Sequence, residues 1–296
     1  MRILVTGGDG MVGSHFIQSH RQKDLILCPT RTELDITDID SVKGFFVLHR
    51  PEILIHFAAY TDVTEAEKER DNIKGACWNI NVVGTSNLVN AANKNSSYFI
   101  HVSTDNVFSG LKDNPGPYDE EFPTEEQSNR LSWYGWTKKK AEEVVKQNLT
   151  NFAIIRISNP VRAKYVAKLD YIRKILELFD KGKLYPMFND QYLTLTYINE
   201  VAETLKILLE KRLRGIYHVS SVNLYTPFRL ANLLIEKARG KENAIKPISI
   251  EEFLRDNPAR YAQFGGLKVE KTEERLHLKF NRWEDTIIEL AKQFED

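Results

Sequence analysis

Tyr134 and Lys138 stand four residues apart in the stretch SNRLSWYGWTKKKAEEVV, Ser128 to Val145, which reads as a helix entered just ahead of the tyrosine. Four residues of α-helix rise about 6 Å and return to the same face, so a phenol and an ammonium at this spacing can address one small molecule. A free phenol ionises at about pH 10. An adjacent ammonium stabilises the phenolate and brings the tyrosine toward proton transfer at neutral pH. By itself the spacing is common, and an aromatic beside a charge is the plain alternative. Two further features bear on it. The apolar run FIHVSTD delivers Ser103 and Thr104 to the carboxyl end of a strand, where α/β folds bind ligands and a hydroxyl can bond a carbonyl under reduction.

The second feature follows the first strand, where TGGDGMVGS places Gly7, Gly10 and Gly13 as GxxGxxG. The first glycine allows a tight turn, the second lets the backbone approach a diphosphate, and the third lets helix and strand pack closely. The diphosphate then rests on the helix N-terminus. An acid that would hold the ribose hydroxyls of NAD is expected after the second strand, LILC, yet Pro29, Thr30 and Arg31 follow. Arg31 either grips a 2′-phosphate, which favours NADP over NAD, or is a solvated loop charge.

These groups need elements to position them. Short β-branched runs, RILVTG, LILC, EILIHFAAY, YFIHVST and FAIIRIS, alternate with amphipathic stretches such as Ser41 to His49 and Ile80 to Asn93. That alternation predicts an α/β fold with a doubly wound parallel sheet of the Rossmann type. Beyond about Asn159 the alternation weakens into a smaller, helix-rich lobe, with no linker to mark the boundary. The 296 residues suffice for two such parts, and no internal repeat or low-complexity segment interrupts them.

Forty-one basic side chains balance 41 acidic ones, which argues against a nucleic-acid partner or an anionic membrane surface. No apolar run reaches the ~20 residues that span a bilayer, and MRILVTGG is too short for a signal sequence, so a cytoplasmic protein is expected. Cys28 and Cys77 read as two buried structural thiols, His56 and His101 as satisfied core residues, and no metal spacing emerges. The charge-rich TEEQSNR and KTEER read as solvated surface, the first as a loop over the site mouth. WTKKKAEE is predicted to carry the i,i+4 pairs Lys138 with Glu142 and Lys139 with Glu143.

The ordered motifs TGGDGMVG, ELDITD, PEILIHFAAYTDVTEAE, NVVGTSNLVNAA, HVSTDNVFSG, PYDEE, YGWTKKKAEE and IIRIS carry a resemblance. As a set they are similar to the extended short-chain dehydrogenase/reductase superfamily. Within it the chain resembles the dTDP-4-dehydrorhamnose reductase (RmlD-like) family, densely to about residue 160 and more loosely through NDQYLTLTYINEVAETL, GIYHVSS and NPARYAQFGGLKVEK. The resemblance implies an NAD(P)-binding domain of residues 1–160 and 191–220, and a substrate-binding lobe of 161–190 and 221–296. It implies Thr104, Tyr134 and Lys138 as the catalytic set, Tyr134 protonating a keto oxygen as hydride arrives. It places the cofactor, NADP or NAD, against Gly7, Gly10, Met11, Val12, Gly13, Arg31, Asp35, Ile36, Phe57, Ala58, Ala59, Tyr60, Asn81, Tyr134 and Lys138. A nucleotide-sugar substrate would meet Thr61, Val63, Thr104, Asp105, Asn106 and Asn159, and the candidate assembly is a homodimer.

The chain departs from that family at the sugar. STDNVF has Asn106 where an aromatic is usual, Asn159 and Pro160 follow RIS where a tryptophan is common, and Leu193 and Leu195 replace a usual glycine and proline. Trp133 and Trp136 either supply replacement stacking surface or are packed away, Trp136 against the second lobe. Dehydratases of the superfamily place a glutamate after Thr-Asp, and Asn106 cannot ionise. Two readings stand beside the reductase: an epimerase, and a regulatory cofactor-binding relative like the regulatory subunit of methionine adenosyltransferase.

Overall fold

A computed structural model describes residues 1–20, 23–162, 165, 169–256 and 261–294; the NPAR of the last quoted motif lies outside them. The described chain divides into two compact units. The first comprises Met1–Phe108, Pro123–Arg156 and Val201–Tyr217; the second Ser109–Phe122, Ile157–Glu200 and His218–Asp296. Residues 109–122 thus group with the second unit, and only 201–217 of the later segment group with the first.

The first unit is built on strands β1 (Arg2–Thr6), β2 (Leu25–Leu27), β3 (Ile53–His56), β4 (Tyr98–Thr104) and β5 (Phe152–Ile157). The sheet runs β2-β1-β3-β4-β5 and ends in Gly215–Val219. β1 is parallel to β2 and to β3, and β3 to β4, in a register that aligns Leu4 with Leu54 and Leu54 with Phe99. That row, with Ile154 of β5, forms one layer of core against α2 (Ile39–His49), α5 (Thr85–Lys94) and α6 (Trp133–Asn148), which contribute Val42, Phe46, Leu88, Val89 and Val145. β1, β3 and β4 are almost wholly buried, as continuous apolar runs require.

Local chemistry sets the helix ends. Asp38 caps α2 and Asp62 caps α3 (Val63–Lys68), each carboxylate accepting from amides of the first turn. α1 (Met11–Ser19) starts at Gly10, which has no side chain to cap it. Between α4 (Ala76–Trp78) and α5 the helix widens into a π segment, Asn79–Gly84.

The second unit packs α7 (Tyr171–Asp180), α8 (Pro227–Arg239) and α9 (Trp283–Ala291) around Ile172, Leu234, Trp283 and Ile287. The start and stop of α8 are written in its sequence: Thr226 caps it, Pro227 opens it, and Gly240 closes it in the left-handed conformation. Leu195 belongs to this core, and Leu193 packs on it while exchanging backbone bonds with Tyr225.

Three expectations are corrected. Cys28 is exposed and, of the two, only Cys77 is buried: Cys28 follows β2, a three-residue strand at the edge of the sheet. In TEEQSNR, Glu125 is buried, its carboxylate holding Arg130 and the amides of Glu126 and Gln127. In KTEER, Thr272 and Glu273 are buried, Thr272 bonding Glu120 and Glu273 capping the Phe280 amide. Among the described residues no helix is long and apolar enough to cross a membrane, and no cluster of three metal-ligating side chains occurs.

Candidate active site

Parallel strands place their carboxyl ends on one edge of the sheet, and two groups of residues occupy that edge. The first is the glycine loop after β1. Gly7 is left-handed, and a Cβ there would stand 2.5 Å from the Ala58 nitrogen. A Cβ on Gly13 would stand 2.4 Å from the Gly7 carbonyl oxygen, so α1 can pack against the loop only without one. The Gly10 amide bonds the Gly7 carbonyl at 3.1 Å and closes the turn. A backbone cradle with no side chain in it fits a dinucleotide diphosphate.

Met11 and Val12 form the first turn of α1, and Phe57, Ala58, Ala59 and Tyr60 follow β3, all half-buried. Asp35 binds the Thr37 amide and hydroxyl at 2.9 and 2.7 Å, and those bonds hold its carboxyl below the ordinary range. Ile36 is buried in the core, with Asn87 bonding its carbonyl. Arg31 is exposed in the turn after β2. An acid missed in the sequence lies two residues on: Glu33 folds back onto the Thr30 amide and hydroxyl at 2.7 and 2.8 Å.

The second group joins β4 to α6. Ser132 caps α6 through the Gly135 amide at 3.0 Å, and Glu67 accepts the Trp133 amide at 2.9 Å, so Tyr134 sits in a fixed first turn. Residues two apart on a strand are about 6.6 Å distant, close to the ~6 Å between residues four apart on a helix. His101 and Ser103 therefore meet Lys138 and Glu142 as successive rungs. The Lys138 ammonium donates to His101 Nε2 at 3.1 Å and to the Val102 carbonyl at 2.9 Å. Ser103 donates to Glu142 at 2.7 Å, which turns it away from the site, while Thr104 stands at the strand end near the Tyr134 phenol, whose ionised form it favours.

The predicted Lys138–Glu142 pair does not form, although Lys139–Glu143 does, at 2.7 Å. Glu142 is wholly buried and taken by Arg156 of β5 in a two-point contact, with Lys146 at 3.4 Å. Lys138 is 2 % exposed, and burial lowers its pKa to about 8 against the opposing influence of Glu142 and Cys77. His56 is satisfied by Thr6 and Thr85 at 2.7 and 3.0 Å, as expected, and burial keeps it neutral. His101 is only half satisfied: its Nδ1 is buried without a hydrogen-bond partner among the described residues. Since Nε2 accepts from Lys138, the ring proton belongs on Nδ1.

The phenol was expected to be drawn toward neutrality by Lys138. Instead burial pushes Tyr134 up, Thr104 opposes that, and Asp105 and Cys77 add to it. The Lys138 ammonium is already turned to β4, and by count one N–H remains for a ligand. A raised phenol stays protonated at neutral pH, which is the form an acid must have.

Asn81, in the π segment, bonds both backbone polar atoms of Tyr60, at 2.8 and 3.2 Å, and the Thr137 hydroxyl of α6 at 2.9 Å, tying the loop after β3 to α6. Asp105 and Asn106 form the single turn that follows Thr104. Thr61 is exposed and Val63 opens α3. Asn159, left-handed at φ 43°, belongs to the second unit and leans on Ser158 and the Thr194 carbonyl. Neither tryptophan is laid out as a free stacking plane. Trp133 is buried and stacked on Trp78 at 5.7 Å; Trp136 joins the Ala66–Cys77 cluster of the first unit, flanked by the ammonium groups of Lys139 and Lys140.

A parallel six-stranded sheet, a glycine cradle and a Thr-Tyr-Lys set in which the threonine and lysine are buried and the tyrosine half-buried define an NAD(P)-dependent oxidoreductase of the extended short-chain type. The RmlD substrate binding domain description matches residues 1–295, and the chain belongs to that family. It is 28% identical over 87% of its length to the spore coat polysaccharide biosynthesis protein SpsK of Bacillus subtilis, covering 86% of that protein. It is equally 28% identical to dTDP-4-dehydrorhamnose reductase of Mycobacterium tuberculosis, over 87% of this chain and 82% of that one. The crystal structure of Bacillus anthracis dTDP-4-dehydrorhamnose reductase in complex with NADP superposes with a TM-score of 0.86, at 28% identity and 99% coverage of both chains.

Proposed function

We propose that the protein reduces a keto group on a nucleotide-linked deoxysugar, with NADPH as the preferred reductant. The observation that carries this is the junction of Thr104, Tyr134 and Lys138 at the carboxyl edge of the sheet that also bears the glycine cradle. The first unit would hold the dinucleotide and the second, with Asn159, would contribute to the sugar. A bound reduced nicotinamide would supply the hydride. Tyr134, protonated at neutral pH, gives its proton to the keto oxygen as negative charge develops there. Thr104 donates a hydrogen bond to the same oxygen, and the remaining N–H of Lys138 serves a ribose hydroxyl and offsets charge on the phenolate left behind.

The test is direct: consumption of NADPH on addition of dTDP-4-keto-6-deoxy-hexoses, with the product identified by mass spectrometry. A two-unit mass gain in the sugar nucleotide supports the reading. Unchanged sugar nucleotides throughout such a panel, from protein that binds NADPH, would overturn it in favour of the regulatory reading. Net inversion of a sugar without NADPH consumption would mark an epimerase.

Cofactor preference rests on the turn after β2. Glu33 is engaged with Thr30 rather than held open for ribose hydroxyls, and Arg31 is exposed beside it. Arg31→Ala is expected to raise KM for NADPH roughly tenfold, the scale of one charge-assisted contact. KM for NADH should stay unchanged; equal changes for both cofactors in parallel titrations would remove Arg31 from phosphate recognition.

A further inference from the structure

The hydroxyl of Thr104 is surrounded by more partners than it can serve at random. Both the backbone amide and the side-chain Nδ2 of Asn106 donate to Thr104 Oγ1, at 3.2 and 3.0 Å. Nδ2 also reaches Asp105 Oδ1 at 3.1 Å, and the same carboxylate oxygen lies 3.2 Å from Thr104 Oγ1. An ionised carboxylate only accepts, so the amide nitrogen of Asn106, not its oxygen, is the atom that faces this pair. The turn is clamped as well: a Cβ on Gly135 would stand 2.2 Å from the Asn106 carbonyl oxygen, so α6 lies directly on the Asn106 peptide between Tyr134 and Trp136.

A hydroxyl has one proton and two lone pairs. Two N–H groups of Asn106 fill the lone pairs, which leaves Thr104 its proton alone. We propose that Asn106 is a positioning residue that makes Thr104 a dedicated hydrogen-bond donor, so that the Tyr134 proton is kept for the substrate instead of being directed to Thr104. This rests on the reading of Thr104 and Tyr134 as the reducing pair. Without a ligand, the Thr104 proton goes to Asp105 at 3.2 Å; a keto oxygen in the site takes that place as acceptor. An aliphatic side chain at 106 leaves one lone pair open, and the phenol can then donate into it and be held away from substrate. The groups that act on the phenol are Thr104 and Asp105 at the end of β4 and Cys77 from α4; Lys138, on the same helix, is turned to His101 and the Val102 carbonyl of β4, and Glu67 of α3 faces the Trp133 amide.

The experiment uses Asn106→Leu with two readouts. In protein carrying 3-fluorotyrosine at position 134, whose phenol ionises lower than tyrosine, the 19F shift is followed against pH without cofactor. The midpoint is expected to rise by roughly half a unit to one unit in Asn106→Leu, because the lone pair opened on Thr104 can accept from the phenol and so favours its protonated form. In a Thr104→Val background the same substitution should leave the midpoint in place, which a merely structural role would not do. In turnover, kcat is expected to fall about tenfold with KM for NADPH unchanged. Coincident midpoints with and without Asn106, or an equal shift in the Thr104→Val background, overturn the proposal. Asn106→Ala, which is smaller and keeps the backbone amide, answers the same question if Asn106→Leu does not fold. The titration needs no substrate, so absence of turnover in the parent protein would sink the reductase reading while the midpoints still decide the role of Asn106.

Discussion

Tyr134→Phe is expected to lower kcat by about 10²- to 10⁴-fold, the usual contribution of a positioned general acid, while NADPH affinity measured by fluorescence titration changes less than threefold or so. The ring remains, so its packing beside Ala66, Cys77 and Trp133 is retained and the fold is little disturbed. What is lost is the proton. Because burial holds the phenol above its ordinary ionisation, the parent enzyme keeps its acid form through neutral pH, and reduction should fall off only on the alkaline side. Lys138, lowered to about 8, loses its charge in that same alkaline direction, so the limb is expected to reflect two groups rather than one. A Tyr134→Phe enzyme that retains more than a third of parental kcat would remove Tyr134 from the proton transfer.

The second large effect lies beneath the site. Arg156→Met is expected to cost about 3–5 kcal/mol of stability in urea unfolding, because it leaves the wholly buried Glu142 carboxylate without its main counter-charge. The pH dependence gives an independent check. Burial opposes ionisation of Glu142, but Arg156, Lys146 and Ser103 outweigh it and depress the carboxyl to about 2 from 4.5. A depressed carboxyl contributes stability that is complete above the unfolded value and is lost as pH falls from about 4.5 toward about 2. In Arg156→Met burial prevails, the carboxyl rises above its unfolded value, and the sign reverses: that site now loses stability as pH rises. The deficit relative to the parent should therefore shrink on acidification toward pH 4.5, and a deficit independent of pH would show that Arg156 acts through packing, for instance on the Phe108 ring 5.0 Å away.

Much of the frame was legible because it rests on local rules. Buried parallel strands need unbroken apolar runs, a diphosphate turn needs glycines where Cβ atoms would collide, and a phenol and ammonium four apart share a helix face. What escaped depends on which element lies against which. That Lys138 turns to His101, and Glu142 to Arg156, follows from matching strand and helix rises, and no i,i+4 rule within α6 contains it. Asn106 reads as a hole in a sugar pocket when compared with an aromatic; only the turn after β4 reveals its amide turned inward onto Thr104. TEEQSNR and KTEER look like solvated charge because composition cannot tell a surface carboxylate from one, such as Glu125 or Glu273, that is capping amides in the interior. Cys28 had apolar neighbours in sequence but comes just after an edge strand and is exposed.

The widened turn at Asn79–Gly84 has a consequence for how this helix can change. A π turn holds one residue more than an α turn, and within it Asn81 bonds both backbone polar atoms of Tyr60 and the Thr137 hydroxyl. Removing one residue there would let the winding become regular while the helix on either side stays nearly in phase, so the loss would fall on the latch that Asn81 makes between the loop after β3 and α6, with Cys77 and Trp78 left in place.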